Sequence, residues 1–287
     1  MKLRVLGCSG GIGGRSQRTT ALLVDDDILI DAGTGVGDLE FEELLRIDHV
    51  FVTHAHLDHI AMIPLLVDTV GEARSMPIVV HGSAETLRIL RSHIFNWLVW
   101  PDFSSIPDRH NPFLRFQEMR VDETAKLGGG RQIKALPALH TVPAVAYHLK
   151  GEGGSLVFSG DTAYSEPLIA AINAIPDLRH LIVETAFPDA LHELALASRH
   201  LCPSLLALFL DRIKVDPEVW ITHLKPSRAQ TTLDEIANYR GRFVPKALYN
   251  GLNNTQTVNA VYQNLFGHAP DVAGLQYWVT QLDQGKL

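Results

Sequence analysis

Between Val50 and Ile60 the chain reads VFVTHAHLDHI, an apolar run that stops abruptly and gives way to four metal-competent side chains. These are His54, His56, Asp58 and His59. An imidazole offers a neutral nitrogen lone pair and a carboxylate offers hard oxygens, so three of one and one of the other suit Zn²⁺ or a similar divalent ion. The spacing constrains the local fold. His54 and His56 alternate along an extended segment and point the same way, whereas Asp58 and His59 fall at the following turn and helix start. One ion would be overcrowded by all four, and a strand that delivers such a cluster needs partners from elsewhere in the chain.

Three later apolar segments stop in a similar way. LVFSGD ends in Asp161, VWITH ends in His223, and Leu139 precedes His140. Ligands at strand ends are held by rigid elements while they project into a loop-lined cleft. Seven candidates suit two ions with three terminal ligands each and one bridging carboxylate, with positions left for water. The chain has 14 histidines, and any one alone is better read as a packed or exposed residue. The dense cluster with three strand-end partners is what carries the signal.

The remaining pattern predicts strands at residues 3–6, 20–24, 27–30, 48–52, 78–81, 132–136, 144–149, 156–158, 181–183 and 219–222. Helices are expected over 40–45, 59–70 with a start near Pro64, 84–93, 167–174, 203–213 and 232–239. The acidic turn Asp25-Asp26 marks a hairpin. The glycine-rich run GCSGGIGG after the first strand lacks the lysine and helix opening of a phosphate-gripping loop, so it reads as a turn lining a site. Hairpins within the chain, followed by alternating strands and helices, predict an α/β fold of the α+β kind, with mixed sheets covered by helices on their outer faces.

With 46% hydrophobic and 20% charged residues over 287 positions, the chain can bury a large core. A net charge of −7 gives no general attraction for a polyanion and argues against a nucleic-acid polymer as partner, while small anionic substrates stay open. Cys8 and Cys202 form neither a disulfide framework nor a ligand pair by spacing. The N-terminal apolar run is too short for a signal peptide, and no stretch approaches the ~18 apolar residues of a membrane helix. The expectation is a soluble cytoplasmic protein without a membrane partner.

The H-x-H-x-D-H sequence formed by His54, His56, Asp58 and His59, with His140, Asp161 and His223 after it, resembles the metallo-β-lactamase superfamily. That resemblance implies a four-layer αββα sandwich over residues 1–250, with the site at one edge between the sheets. It also implies a first ion on His54, His56 and His140, a second on Asp58, His59 and His223, and Asp161 bridging. HAHLDHIAMIPLL, FNWLVWPDF, ETAFPD, HLCPSLL and THLKP are similar to blocks of class II cyclic-nucleotide phosphodiesterases. Met62 and Asp68 stand where that family's signature has a small residue and a serine. Transfer-RNA 3′-processing endonucleases share some blocks, but their H-E-A-T-type sequence corresponds here to Val183-Glu184-Thr185-Ala186, without the leading histidine.

The resemblance implies hydrolysis of a 3′,5′-cyclic nucleotide, cyclic AMP or cyclic GMP, by a metal-bridging hydroxide attacking phosphorus in line. Asp58 joins the catalytic group as a ligand. His200, at the opening of the helix in HLCPSLL, is the first candidate to protonate the leaving 3′-oxygen. Glu184 and Asp31 are candidates to orient ligating histidines. Asn96, Trp97, Trp100 and Phe103 are candidates to shape a base pocket, and Lys225 to approach a phosphate. The cofactors are two divalent ions, Zn²⁺ first, with Mn²⁺ or Fe²⁺ as alternatives. Other readings are hydrolysis of another ester, lactone or phosphodiester, and a non-catalytic binding or assembly protein.

After Leu248 the composition becomes amide-rich, and residues 251–287 read as a separate helical tail. Val258, Val261, Tyr262 and Leu265 recur at helical spacing. The tail resembles part of a repeat module of bacterial surface and secreted proteins. At this size its apolar stripe is expected to pack on the main domain or on a second copy, which leaves a homodimer open.

Overall fold

The computed structural model describes residues 1–13, 17–248 and 271–283. The chain opens with strands β1 (Leu3–Gly7), β2 (Ala21–Val24) and β3 (Ile28–Ile30), which form an antiparallel meander. Asp25 takes a φ of 50° in the β2–β3 turn, a conformation that Asp tolerates better than most residues. Strands β4 (His49–Phe51), β5 (Ile78–Gly82) and β6 (Leu114–Glu118) extend the sheet in parallel, giving the order β1-β2-β3-β4-β5-β6.

The second sheet repeats this plan. Strands β7 (Thr124–Lys126), β8 (Gln132–Pro137), β9 (Val145–Gly151) and β10 (Gly154–Phe158) are antiparallel. Strands β11 (Leu178–Glu184), β12 (Glu218–Thr222) and β13 (Lys246–Ala247) continue in parallel. The parallel crossovers carry helices, as a strand returning in the same direction requires.

Three apolar cores make the four layers. Along β2 and β3 the side chains alternate: Leu22, Val24, Ile28 and Ile30 face the other sheet, while Ala21, Leu23 and Leu29 face the helices outside the first sheet. The second sheet does the same, with Tyr147, Phe158 and Ile182 turned inward and Ala146, Val157, Leu181 and Val183 turned to its own helices. Strands buried on both faces therefore read as unbroken apolar runs, and the period of two sorts them into separate cores.

Helices α1 (Phe41–Leu44), α2 (Leu57–Ile60), α3 (Ile63–Val70) and α4 (Ala84–Ile89) lie with the first sheet. Pro64 sits in the first turn of α3, where its missing N–H is not needed. The expected single helix over 59–70 is therefore two, broken at Ala61-Met62. The helix expected over 84–93 ends at Ile89 and passes into a wider π-turn, Leu90–Ile94. Helices α5 (Glu166–Asn173), α6 (His192–Ser198), α7 (Pro203–Asp211) and α8 (Ala229–Ile236) belong to the second half.

In the tail, α9 (Val272–Asp283) is helical, with Val272 and Tyr277 exposed. The expected helix carrying Val258, Val261, Tyr262 and Leu265, and the boundary at residue 250, lie outside the described residues. Among the described residues no single helix is long and apolar enough to cross a membrane. Among the described residues, neither Cys8 nor Cys202 forms a disulfide.

Candidate metal centre

All seven expected ligands gather at one edge of the sandwich, four just beyond strand ends and the other three, His56, Asp58 and His59, at or in α2. His54 follows β4, His140 follows β8, Asp161 follows β10, and His223 follows β12 directly. The edge is tied across the two sheets: the amide of Val145 donates to the Thr53 carbonyl at 3.0 Å, and the Tyr147 hydroxyl donates to the Val52 carbonyl at 2.8 Å.

The side chains fall into two groups that share Asp161. His54, His56, His140 and Asp161 form one, and Asp58, His59, Asp161 and His223 the other; within each, the ligand atoms lie within 4.8 Å of one another. Asp161 turns one oxygen to each side. Its Oδ2 is 3.7 Å from His54 Nε2 and 3.9 Å from His140 Nε2. Its Oδ1 is 3.4 Å from His59 Nε2 and 3.2 Å from His223 Nδ1. Asp58 approaches the second group from its half-exposed helix, 3.9 Å from both His59 Nε2 and His223 Nε2.

Outer partners set which ring nitrogen faces inward. Asp31, fully buried, accepts from His59 Nδ1 at 2.7 Å, from the Thr53 amide at 2.7 Å and from the Thr53 hydroxyl at 2.8 Å. Having given its proton to Asp31, the Thr53 oxygen accepts from His54 Nδ1 at 3.0 Å. His140 Nδ1 donates to the Arg199 carbonyl at 3.1 Å. His54, His59 and His140 therefore all turn Nε2 toward the centre, with a bare lone pair on His54 and His140.

This arrangement fits divalent ions. His56 Nδ1 lies 3.1 Å from His54 Nε2 and 3.2 Å from His140 Nε2, and a single proton on His56 can serve only one of these contacts. The other opposes lone pair to lone pair unless a cation engages them. His59 Nε2 and His223 Nδ1 are buried without a hydrogen-bond partner, a costly state for polar atoms unless something else engages them.

The electrostatics agree. Burial disfavours a charged Asp161, yet the surrounding imidazoles of His223, His59 and His54 outweigh it and hold the carboxyl well below its usual range. Burial likewise opposes protonation of His59, but the Asp161 and Asp31 carboxylates raise its pKa well above the ordinary value. The pocket thus calls for positive charge. Burial, reinforced by neighbouring rings, keeps His54 and His223 well below the ordinary histidine range and so available as neutral ligands.

Two glycines let the backbone close on the site. A Cβ on Gly10, in the glycine-rich turn after β1, would lie 2.5 Å from the His223 carbonyl, and one on Gly33 would lie 2.4 Å from the Asp58 carbonyl. His223 and Asp31 hold left-handed backbone conformations, with φ of 64° and 56°, as strained residues at functional sites often do.

His200 stands against both groups. Its ring centre is 4.9 Å from that of His140 and 5.2 Å from that of His223, and Nδ1 lies 2.8 Å from Glu184 Oε1. Burial favours the neutral ring, but the Glu184 carboxylate outweighs it and raises the His200 pKa. The helix begins at Pro203, as expected, and His200 lies in the loop that precedes it. Lys225 donates from Nζ to the Gly10 carbonyl at 2.8 Å and lies 3.4 Å from His223 Nε2.

The aromatic passage divides between core and surface. Phe103 is buried in the core between the first sheet and its helices, and Trp100 packs partly against the same core. Asn96 spends its amide within its own loop, accepting from the Leu98 and Val99 amides and donating to the Ser92 carbonyl. Trp97, Leu98 and Val99 are exposed at the loop tip. A run of aromatics looks alike in sequence whether it fills a core or faces a ligand. Thr53 and Arg199 were not singled out, and only their positions directly before His54 and His200 mark them.

Residues 26–238 match the family described as the β-lactamase superfamily domain. The chain belongs to this superfamily. Its layered sheets are those of the metallo-β-lactamase sandwich. Residues 245–287 match a domain of unknown function, DUF4214, which takes in β13 as well as the tail. Ribonuclease Z of Halorubrum lacusprofundi is 29% identical over 163 residues, covering 52% of this chain and 48% of that protein. A "probable 3′,5′-cyclic-nucleotide phosphodiesterase" of Yersinia pestis is 26% identical over 207 residues, covering 64% of this chain and 59% of that one. The chain thus spans about half the length of these relatives. Unliganded yeast PDE1 superposes with a TM-score of 0.71 at 18% identity, over 87% of this chain and 97% of that structure, a likeness of fold.

Proposed function

We propose that this superfamily member is a dinuclear metal-dependent phosphodiesterase acting on 3′,5′-cyclic nucleotides. His54, His56 and His140 would hold one ion, Asp58, His59 and His223 the other, and Asp161 would bridge them. Zn²⁺ suits the histidine-rich set, with Mn²⁺ or Fe²⁺ as alternatives. Such a pair supplies Lewis acidity toward phosphoryl oxygens and a water that ionises near neutral pH.

The observation that carries the reading is the buried His200–Glu184 pair packed against both ligand groups. Glu184 keeps His200 a willing proton carrier, and Nε2 is the atom from which a leaving 3′-oxygen would take its proton. Asp31 and Thr53 orient His59 and His54, and Lys225 adds positive charge beside His223. The Yersinia relative supports a cyclic nucleotide as substrate. The net charge of −7 weighs against a long polyanion.

The ribonuclease Z relatives favour a second reading, cleavage of a transfer-RNA precursor by the same centre. Purified protein should contain two divalent ions per chain and turn over cyclic AMP or cyclic GMP well ahead of a lactone, bis(p-nitrophenyl) phosphate or a precursor transfer RNA. Preference for the precursor RNA would replace the leading reading, and metal-free protein inactive on all four after reconstitution would overturn both. We assign this chemistry to residues 1–250 and assembly to 251–287. Deleting the tail should leave metal content and turnover unchanged while altering subunit count.

A further inference from the structure

Arg199 is largely exposed, yet it reaches both sides of the centre. It ends α6 in the left-handed conformation, with φ 54° and ψ 50°, a position that usually falls to glycine. Two hydrogen bonds run between it and His140 in opposite directions. His140 Nδ1 donates to the Arg199 carbonyl at 3.1 Å, and the Arg199 guanidinium donates to the His140 carbonyl at 2.6 Å. Together they close a ring between the loop after β8 and the loop after α6, elements 59 positions apart in sequence.

The first bond places the His140 proton on Nδ1 and turns Nε2 toward His56 and Asp161. The second fixes the main chain that carries the ring, so that the imidazole cannot pivot away. The next residue is His200, and the left-handed turn at Arg199 sets its ring edge-on to His140 and stacked on His223. A residue with no function beyond ending a helix gains nothing from being arginine here, because glycine adopts the turn without strain.

We propose that Arg199 is a positioning residue of the centre, locking His140 as a ligand and registering His200 against it. This rests on reading the cluster as a metal site, not on the choice of substrate.

The test compares Arg199→Gly and Arg199→Lys with the wild type by zinc titration against a chromophoric chelator, thermal unfolding, and kcat and KM for cyclic AMP. Glycine relieves the left-handed strain, so with metal removed from both proteins R199G should melt at or above the wild-type temperature. It should nevertheless lose about tenfold or more in affinity for one of the two zinc ions while holding the other unchanged. R199K, which keeps a donor for the His140 carbonyl, should recover most of that loss. With cyclic AMP, kcat should fall in R199G and KM should stay.

R199G that binds both ions with wild-type affinity would overturn the proposal. So would a rise in KM alone, which would make Arg199 a substrate contact. If the wild type does not turn over cyclic AMP but R199G still loses one ion, the positioning role stands and the substrate reading falls.

Discussion

The first sheet brings four candidate ligands to the cluster from one short segment, His54 to His59, whereas the second brings three from three separate strand ends, at His140, Asp161 and His223. The local supply is economical in chain but lopsided: His54 and His56 fall in one group, Asp58 and His59 in the other. The dispersed supply completes both, because Asp161 sits where the groups meet. The segment that looks most like a site in sequence is thus unable to form one by itself, and the binding capacity is a property of the folded pair of sheets.

The largest effect expected from breaking this partnership is at the shared carboxylate. Asp161→Asn should remove both ions and reduce turnover to background, while Asp58→Asn, altering a half-exposed ligand of one group, should leave one ion bound. Metal per chain by inductively coupled plasma mass spectrometry decides between them. Equal losses in the two variants would mean that the groups do not share Asp161 in the way its two oxygens imply.

A second substitution in the dispersed half separates chemistry from metal retention. His200→Ala should lower kcat by about 10²–10⁴-fold, as loss of a positioned proton donor does, with both ions kept. If the ions leave with the ring, His200 is structural support for His140 and His223 and not a proton carrier.

On the local side the matching probe is Asp31. Asp31→Ala strips the acceptor from His59 and from Thr53, so the second group should lose about 10–100-fold in metal affinity, with a smaller loss in the first through Thr53 and His54. Competition with a chelator, followed by fractional metal content, reads both. Identical losses in the two groups would show that Asp31 acts by holding the whole loop and not by aiming rings.

These contrasts also mark what the sequence discloses. The cluster was visible because its spacing is local, and His140, Asp161 and His223 because each stands where an apolar run stops. The sheets were legible wherever strands are buried on both faces, as with ILI at 28–30 and LVF at 156–158. Strand β6, Leu114–Glu118, was missed although it alternates, because it is an edge strand with three exposed side chains. Helix α6 was missed because its residues are largely exposed and its apolar periodicity is weak. Arg199 and Thr53 act through main-chain geometry and a shared proton, neither of which has a sequence pattern. The aromatic passage is conspicuous in composition, but only the fold decides which of its rings are interior.

The smallest effect concerns a histidine pair in the first sheet that takes no part in the centre. His81 on β5 stacks on Phe51 with ring centres 4.2 Å apart, and its Nε2 lies 3.1 Å from His49 Nδ1. Burial, with a further contribution from His49, pushes the His81 pKa from 6.5 down to about 3. The unfolded chain takes up a proton as pH falls below 6.5, and the folded chain does not until about pH 3. The neutral ring therefore contributes stability that is complete above pH 6.5 and is lost progressively as pH falls through that window, of the order of a few kcal/mol in all. His81→Gln keeps a polar group beside His49 but does not titrate. The gap in melting temperature between wild type and H81Q should shrink steadily from pH 7 to pH 4, with metal content identical at pH 7. A gap constant with pH would mean that the unfolded chain and the native core hold this ring equally.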